Sequence, residues 1–174
     1  MTEADIQIAF DEHKDAVYRF AWRMTHSEAA AEDIAQDVFL ALLRRPDRFD
    51  PIRGTLRAFL FGIARNLALK RWRNENRWTV LDDERFIANP VEPDRSEIAE
   101  TIGEAVRALP PLQREALIMA EYEELSLEEI ALAVESEIGT VKSRLHRARE
   151  NLRRMLAPLK PAMGVRSSHG TPER

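Results

Sequence analysis

Cysteine is absent from the 174-residue chain, which excludes disulfides, thiolate metal sites and thiol redox chemistry and fits a reducing compartment. No uncharged apolar run has the length of a membrane span. The N-terminal MTEADIQIAFDEHKD carries acids where a signal peptide carries bases, so a cytoplasmic protein with no membrane insertion is expected. No glycine-rich phosphate loop or nucleophile motif occurs, and His13, His26, His146 and His169 lack metal-ligand spacing. We therefore expect no enzyme, no metal and no cofactor.

What is present is ordinary in amount and unusual in arrangement. A hydrophobic fraction of 44% and a charged fraction of 32% suit a globular chain. The net charge of -4 speaks against a nucleic-acid binder only as an average. Counted along the sequence, residues 1–43 carry -6, 44–78 carry +7, 79–137 carry -12, 138–160 carry +6 and the remainder +1. Two basic blocks offer a polyanion two docking surfaces, and the acidic blocks suit a basic partner or repel misdirected DNA. On charge alone, solvated helix faces are an equal explanation.

Apolar residues recur at intervals of three and four with no sustained alternation, so an all-α protein is expected. A first helix over 3–25 buries Phe10, Val17, Phe20, Ala21 and Met24; a second, Ser27 to Arg44, turns Ile34, Val38, Ala41 and Leu42 inward. Pro46 and Pro51 then force a loop over Arg45 to Gly54. A third helix starts at the N-cap Thr55 and runs toward Arg77. Residues 79–95 lose the periodicity and read as a flexible linker that lets two modules move relative to each other. The expected division is 1–78, a linker over 79–95, 96–157, and a disordered tail over 158–174. Within the second module, helices are expected over Ser96 to Ala108 and Leu112 to Glu124.

The sequence Ser126-Leu127-Glu128-Glu129 is a capping box that opens a short helix. A four-residue turn follows, with Ser136 expected to cap a helix from Glu137 to Ala157. Val141, Leu145, Ala148, Leu152 and Met155 make one stripe of that helix, and Lys142, His146, Arg149 and Arg153 make another. A face that packs beside a face of cations suits a recognition helix in the major groove, although a basic surface helix would have the same spacing. In the third helix, Asn66, Lys70, Arg73 and Arg77 share a stripe, with Phe59, Phe61, Trp72 and Trp78 nearby. Cations beside aromatic rings can hold a duplex or an unstacked single strand; core packing is the competing role for Phe59 and Phe61.

The runs DIAQDVFLALL at 33–43, GTLRAFLFGIARNLALKRWR at 54–73 and SLEEIALAVESEIGTVKSRLHRARENL at 126–152 resemble bacterial extracytoplasmic-function (ECF) sigma factors of the sigma-70 family, over roughly residues 5–157. The resemblance implies a dissociable specificity subunit of RNA polymerase that directs promoter-specific transcription initiation. Its first module would be the region 2 helical bundle and its second the region 4 helix-turn-helix. It implies that Asp33, Gln36 and Asp37 contact the core polymerase. It also implies that the 45–54 loop, with Arg65 and Asn66, captures a flipped base of the downstream element, assisted by the cations Lys70, Arg73 and Arg77. Lys142, Ser143, His146, Arg147, Arg149 and Arg153 would meet the upstream element. RNA polymerase core, promoter DNA and an anti-sigma factor are the implied partners. Two residues depart from the family pattern: Glu135 replaces a common turn glycine, and Glu137 replaces a common proline. The competing readings are a sigma mimic that sequesters an anti-sigma factor and a free-standing helix-turn-helix repressor.

Overall fold

A computed structural model describes residues 1–76, 86, 88–91 and 98–159. The described residues form seven α-helices and contain no strand: α1 (Glu3–Thr25), α2 (Glu28–Arg44), α3 (Leu56–Glu75), α4 (Ile98–Ala108), α5 (Pro111–Leu117), α6 (Leu127–Ala133) and α7 (Ile138–Met155). Arg77 and Trp78, most of the expected linker and the tail from residue 160 lie outside the described residues. Residues 157–159 form a single 3-10 turn.

The first three helices start where their sequence signals place them. Thr2 and Asp5 form a capping box on α1, while the Ser27 and Thr55 hydroxyls accept from the amides of Ala30 and Ala58. Phe20, Leu60, Phe61, Ile34 and Leu42 are fully buried where these helices meet. Phe20 and Phe61 meet edge to face with ring centroids 5.2 Å apart. Burial of such side chains contributes about 1.5–3 kcal/mol each. Phe10, expected inside, is 38% exposed and lies edge-on to Phe39 at the margin of this core. Ala41 is only half-buried, because the inward stripe drifts around the helix by its last turn.

The second module is built around α5, whose residues are nearly all buried. The expected helix over Leu112 to Glu124 instead ends as α-helix at Leu117 and continues as a π-helical turn over Ile118–Tyr122. That wider turn carries Glu123 into the interior, where it is 2% exposed. The Arg114 side chain closes the joint, donating to the carbonyls of Arg107 at 2.6 Å, Leu109 at 2.9 Å and Met24 at 2.8 Å. Burial lowers its pKa to about 10, still far enough above neutrality to keep the guanidinium charged. Asn151 of α7 donates to Gln113 at 2.8 Å, which explains a buried amide on an otherwise apolar stripe.

The two modules pack against each other, chiefly through α3 on α6 and α1 on α4 and α5. Charges pair across the seam: Arg65 with Glu115, and Arg19, Arg23 and Arg57 with Glu123. The described part of the segment between them also packs: the Val91 amide donates to the Met155 carbonyl at 3.0 Å, and Ala88 is buried.

Candidate nucleic-acid interface

The helix-turn-helix is assembled by local chemistry. Ser126 and Glu129 make the reciprocal capping box at the start of α6. The turn that follows is carried by Glu135, whose φ of 52° lies in the left-handed region. A side chain there costs about 1 kcal/mol relative to glycine. Ser136 does not cap α7: its hydroxyl donates to the Val134 carbonyl at 3.4 Å, and Glu137 stands at the N-cap without a side-chain hydrogen bond. The helix accordingly begins at Ile138. A carboxylate at this end is still favourable to the helix dipole.

On α7, Val141, Leu145, Ala148 and Met155 are buried, whereas Leu152 is half-buried. The row Lys142, His146, Arg149 and Arg153 faces solvent together with Ser143, while Arg147 is half-buried at its side. Arg149, Arg153 and Ser143 make contacts within the chain. Arg149 donates through Nε and Nη2 to one oxygen of Glu121, at 2.9 and 2.6 Å, and Arg153 pairs with Glu150. The Ser143 hydroxyl donates to the Gly139 carbonyl at 3.0 Å, leaving its lone pairs outward.

A second feature lies on the first module. Pro46–Arg48 form a 3-10 turn, and the Asp50 carboxylate accepts from the Ile52 amide at 2.9 Å to close an Asx turn. This turn holds Ile52 at 93% exposure on the loop tip. Between this loop, α3 and the end of α6 is a cleft of about 540 Å³ lined by Arg48, Phe49, Arg53, Phe59 and Asn66 of the first module and by Leu132, Ala133 and Glu135 of the second. Phe49 and Phe59 stand 5.6 Å apart at an interplanar angle of 52°. Aromatic rings, a carboxamide and two guanidinium groups around a half-open cavity can stack a planar base, read its edge and hold its phosphate.

The sequence-predicted residues of this face do not all behave alike. Asn66, Lys70 and Arg73 are exposed, and Arg77 is outside the described residues. Arg65 is turned away from solvent: its Nε and Nη2 donate to Glu115 at 2.8 and 3.0 Å, and its Nη1 donates to Asn66 at 3.0 Å. Glu115 is fully buried, and burial pushes its carboxyl pKa up while Arg65 pulls it back. Phe61 belongs to the core, Phe59 lines the cleft, and Trp72 is half-buried. Asp33, Gln36 and Asp37 project from α2, with Asp33 accepting from Arg71 at 3.0 Å.

Sequence reading missed a further cluster. The buried carboxylate of Glu123 lies 3.4 Å from Arg19, 3.7 Å from Arg23 and 3.8 Å from Arg57, and Arg57 also donates to the Glu123 carbonyl. Its only sequence signal is a set of acids, Glu115, Glu121 and Glu123, within an otherwise apolar run. Neither these residues nor the described remainder bring three or more metal-ligating side chains together.

Comparison with known proteins places both modules. The Sigma-70 region 2 family matches residues 9–78, and the Sigma-70 region 4 family matches residues 99–152. The chain is 35% identical over 154 residues to the ECF RNA polymerase sigma factor SigE of Mycolicibacterium smegmatis, with 84% of this chain and 59% of that protein covered. It is 34% identical over 164 residues to the ECF RNA polymerase sigma factor SigW of Bacillus subtilis, with 86% and 87% covered. Thus it spans somewhat over half of SigE and most of SigW. Among solved structures, it is similar to the sigma factor RpoE from Bartonella quintana in complex with the anti-sigma factor NepR. There the TM-score is 0.69 at 29% identity, covering 88% of this chain and 97% of that one.

Proposed function

Because the chain belongs to the ECF RNA polymerase sigma factors of the sigma-70 family, we propose that it is an alternative sigma factor directing promoter-specific transcription initiation. The observation that carries this reading is that one chain holds two distinct surfaces whose side chains suit nucleic acid. One is the exposed cation row of α7; the other is the aromatic and amide cleft beneath the 45–54 loop.

In this function α7 lies in the major groove of the upstream element. Lys142, Ser143 and His146 approach base edges, while Arg147, Arg149 and Arg153 hold phosphates. The cleft receives a base flipped from the non-template strand, stacked on Phe59 or Phe49 and read by Asn66; Lys70, Arg73 and Arg77 track the backbone. Withdrawing a base from the stack costs a few kcal/mol, which these contacts must offset for the duplex to open. The exposed acidic face of Asp33, Gln36 and Asp37 suits docking on a basic surface of core polymerase. An anti-sigma factor is a fitting regulator, since the similar RpoE of Bartonella quintana was crystallised with one. The protein works in the cytoplasm, in keeping with the finding that no helix among the described residues is long and apolar enough to cross a membrane.

The retained cleft and cation row favour this reading over a sigma mimic, which needs neither, and the cleft disfavours a simple repressor. The test is separation of roles in a reconstituted holoenzyme. Asp33→Lys with Asp37→Lys abolishes core binding, while Asn66→Ala leaves core and closed-promoter binding intact and lowers strand opening, read by permanganate reactivity of unpaired thymines. Normal opening by Asn66→Ala removes this residue from base capture. Core binding unaffected by the reversals removes the α2 face.

A further inference from the structure

The exposed row of α7 extends beyond its cations. Ile138 stands four residues before Lys142, as Lys142 stands four before His146, so the three share one side of the helix. Ile138 is 37% exposed and lies outside the hydrophobic core, an apolar side chain ending a row that otherwise holds Lys142, His146, Arg149 and Arg153. Gly139 lies beside it, one turn before Lys142 and Ser143. A β-carbon there would meet nothing within 4 Å, and the backbone has no positive φ, so neither packing within the chain nor strain accounts for a glycine in this helix. Glu137, on the other side of Ile138, is exposed, and its carboxylate makes no capping bond to the amides of α7.

We propose that Ile138 reads the 5-methyl group of a thymine in the upstream element, with Glu137 accepting from the amino group of the paired adenine, so that these two side chains select an A·T pair. This rests on the reading of α7 as the recognition helix of a sigma factor. In the major groove an A·T pair presents the adenine N6 amino donor together with the thymine methyl, whereas a G·C pair presents an amino donor on cytosine and no methyl. A carboxylate alone accepts from adenine or cytosine alike, and the apolar neighbour decides between them. The same carboxylate is repelled by phosphates, which keeps Glu137 and Ile138 over the base edges while Arg149 and Arg153, further along the row, hold the backbone. Gly139 supplies clearance: its bare backbone lets this part of α7 come into contact with the groove floor.

Ile138 also borders a shallow depression with Leu132, Glu135 and Arg53, so contact with protein is the competing role for its side chain. The two roles differ in what they sense, because a protein contact is indifferent to a methyl group on DNA. Taking one methyl out of water against Ile138 is worth about fourfold in affinity, the value for one buried methyl-sized group.

Deoxyuridine in place of thymidine removes the methyl and keeps the base pair. Holoenzyme reconstituted with the full chain is titrated with a duplex promoter fragment recovered by run-off transcription, carrying thymine or uracil at each A·T pair of the upstream element in turn. At one pair the parent should bind the uracil duplex about fourfold more weakly, and Ile138→Ala should bind both duplexes equally, at the parent's affinity for uracil. At the same pair, replacing adenine by a purine that lacks the 6-amino group should weaken the parent and leave Glu137→Ala unaffected. Gly139→Ala should raise the thermal midpoint, since alanine favours a helix, and lower promoter affinity several-fold. An upstream element with no A·T pair, equal parental affinity for thymine and uracil at every pair, or variants that keep the parent's discrimination overturn the proposal; unchanged affinity of Gly139→Ala contradicts the close approach it requires. The parental comparison needs no variant, so it decides even where a substituted chain misfolds. A holoenzyme that transcribes but ignores the methyl sinks this contact alone, whereas no core binding and no transcript sinks the sigma reading and the contact with it.

Discussion

At the scale of single residues, one of the α7 cations, Arg149, is held in a local ion pair. Glu121 draws Arg149 sideways along the helix-turn-helix, and this exposed pair is worth little to stability. Its effect should appear in binding. Glu121→Gln is expected to raise affinity for upstream duplex a few-fold by freeing Arg149. Arg149→Ala should lower affinity and reduce the slope of log K against log salt by about 0.9, the value for one lost phosphate contact. Titration in a series of salt concentrations checks both, and an unchanged slope for Arg149→Ala takes that residue off the phosphate. His26 gives a pH-dependent counterpart. It ends α1 in the left-handed region, stacks on Trp22 with ring centroids 5.0 Å apart, and faces Arg107 and Arg114 of the second module. Burial first, then these two guanidinium groups, depress its pKa below 6.5. The folded state therefore favours neutral His26: its contribution is present above pH 6.5 and is lost as pH falls from there through the depressed value. Denaturant midpoints between pH 7.5 and 5.5 should fall more for the parent than for His26→Gln; equal falls would remove His26 as the cause. Buried Glu115, whose pKa is raised, titrates with the opposite sign, so the comparison with the variant is needed.

At the scale of elements, the helix-turn-helix carries a fault that its neighbours absorb. Glu135 occupies a left-handed position, so Glu135→Gly should stabilise the fold by up to about 1 kcal/mol, seen as a higher thermal midpoint, unless chain entropy in the unfolded state offsets it. Ser126→Ala removes the acceptor of a capping box and should cost about 1 kcal/mol. Gly62 is more telling, because two effects oppose one another there. Alanine favours the helix by roughly 0.8–1 kcal/mol, yet its β-carbon crowds the Ala133 carbonyl across the seam. Gly62→Ala should thus leave region 2 as helical as before and weaken the module contact, read by hydrogen exchange of α6; unchanged protection of α6 would contradict the close approach.

These elements also show what the sequence makes legible. The limits of α1, α2 and the start of α3 follow from Thr2, Ser27 and Thr55, whose capping is local chemistry. The exposed face of α7 follows from its period of three and four. The π-helical turn over Ile118–Tyr122 does not, because a single inserted residue leaves the apolar spacing almost intact while rotating Glu123 inward. Ser136 misleads for a related reason: a serine one residue ahead of Glu137 looks like a cap, but the chain reaches helical geometry only at Ile138. The cleft was legible only as a loop with neighbours on α3, since its Arg48, Phe49 and Phe59 converge through folding and share no spacing.

For the molecule as a whole, the order of charge along the sequence anticipated partners and missed that the chain is one of its own. The positive 44–78 block meets carboxylates of the negative 79–137 block through Arg57 and Arg65, a contact that depends on tertiary packing over 50 residues or more of separation. The same basic block carries the surface proposed to open promoter DNA. Higher salt should weaken surface attraction to DNA more than it loosens the seam, whose carboxylates are buried and little screened. The most direct measurement of the central claim is run-off transcription with purified chain, core polymerase and a library of promoter fragments, with core-only and chain-only controls. A sigma factor yields chain-dependent transcripts from fragments that share one upstream and one downstream element. No transcript, together with no binding to core in the same mixtures, would contradict it.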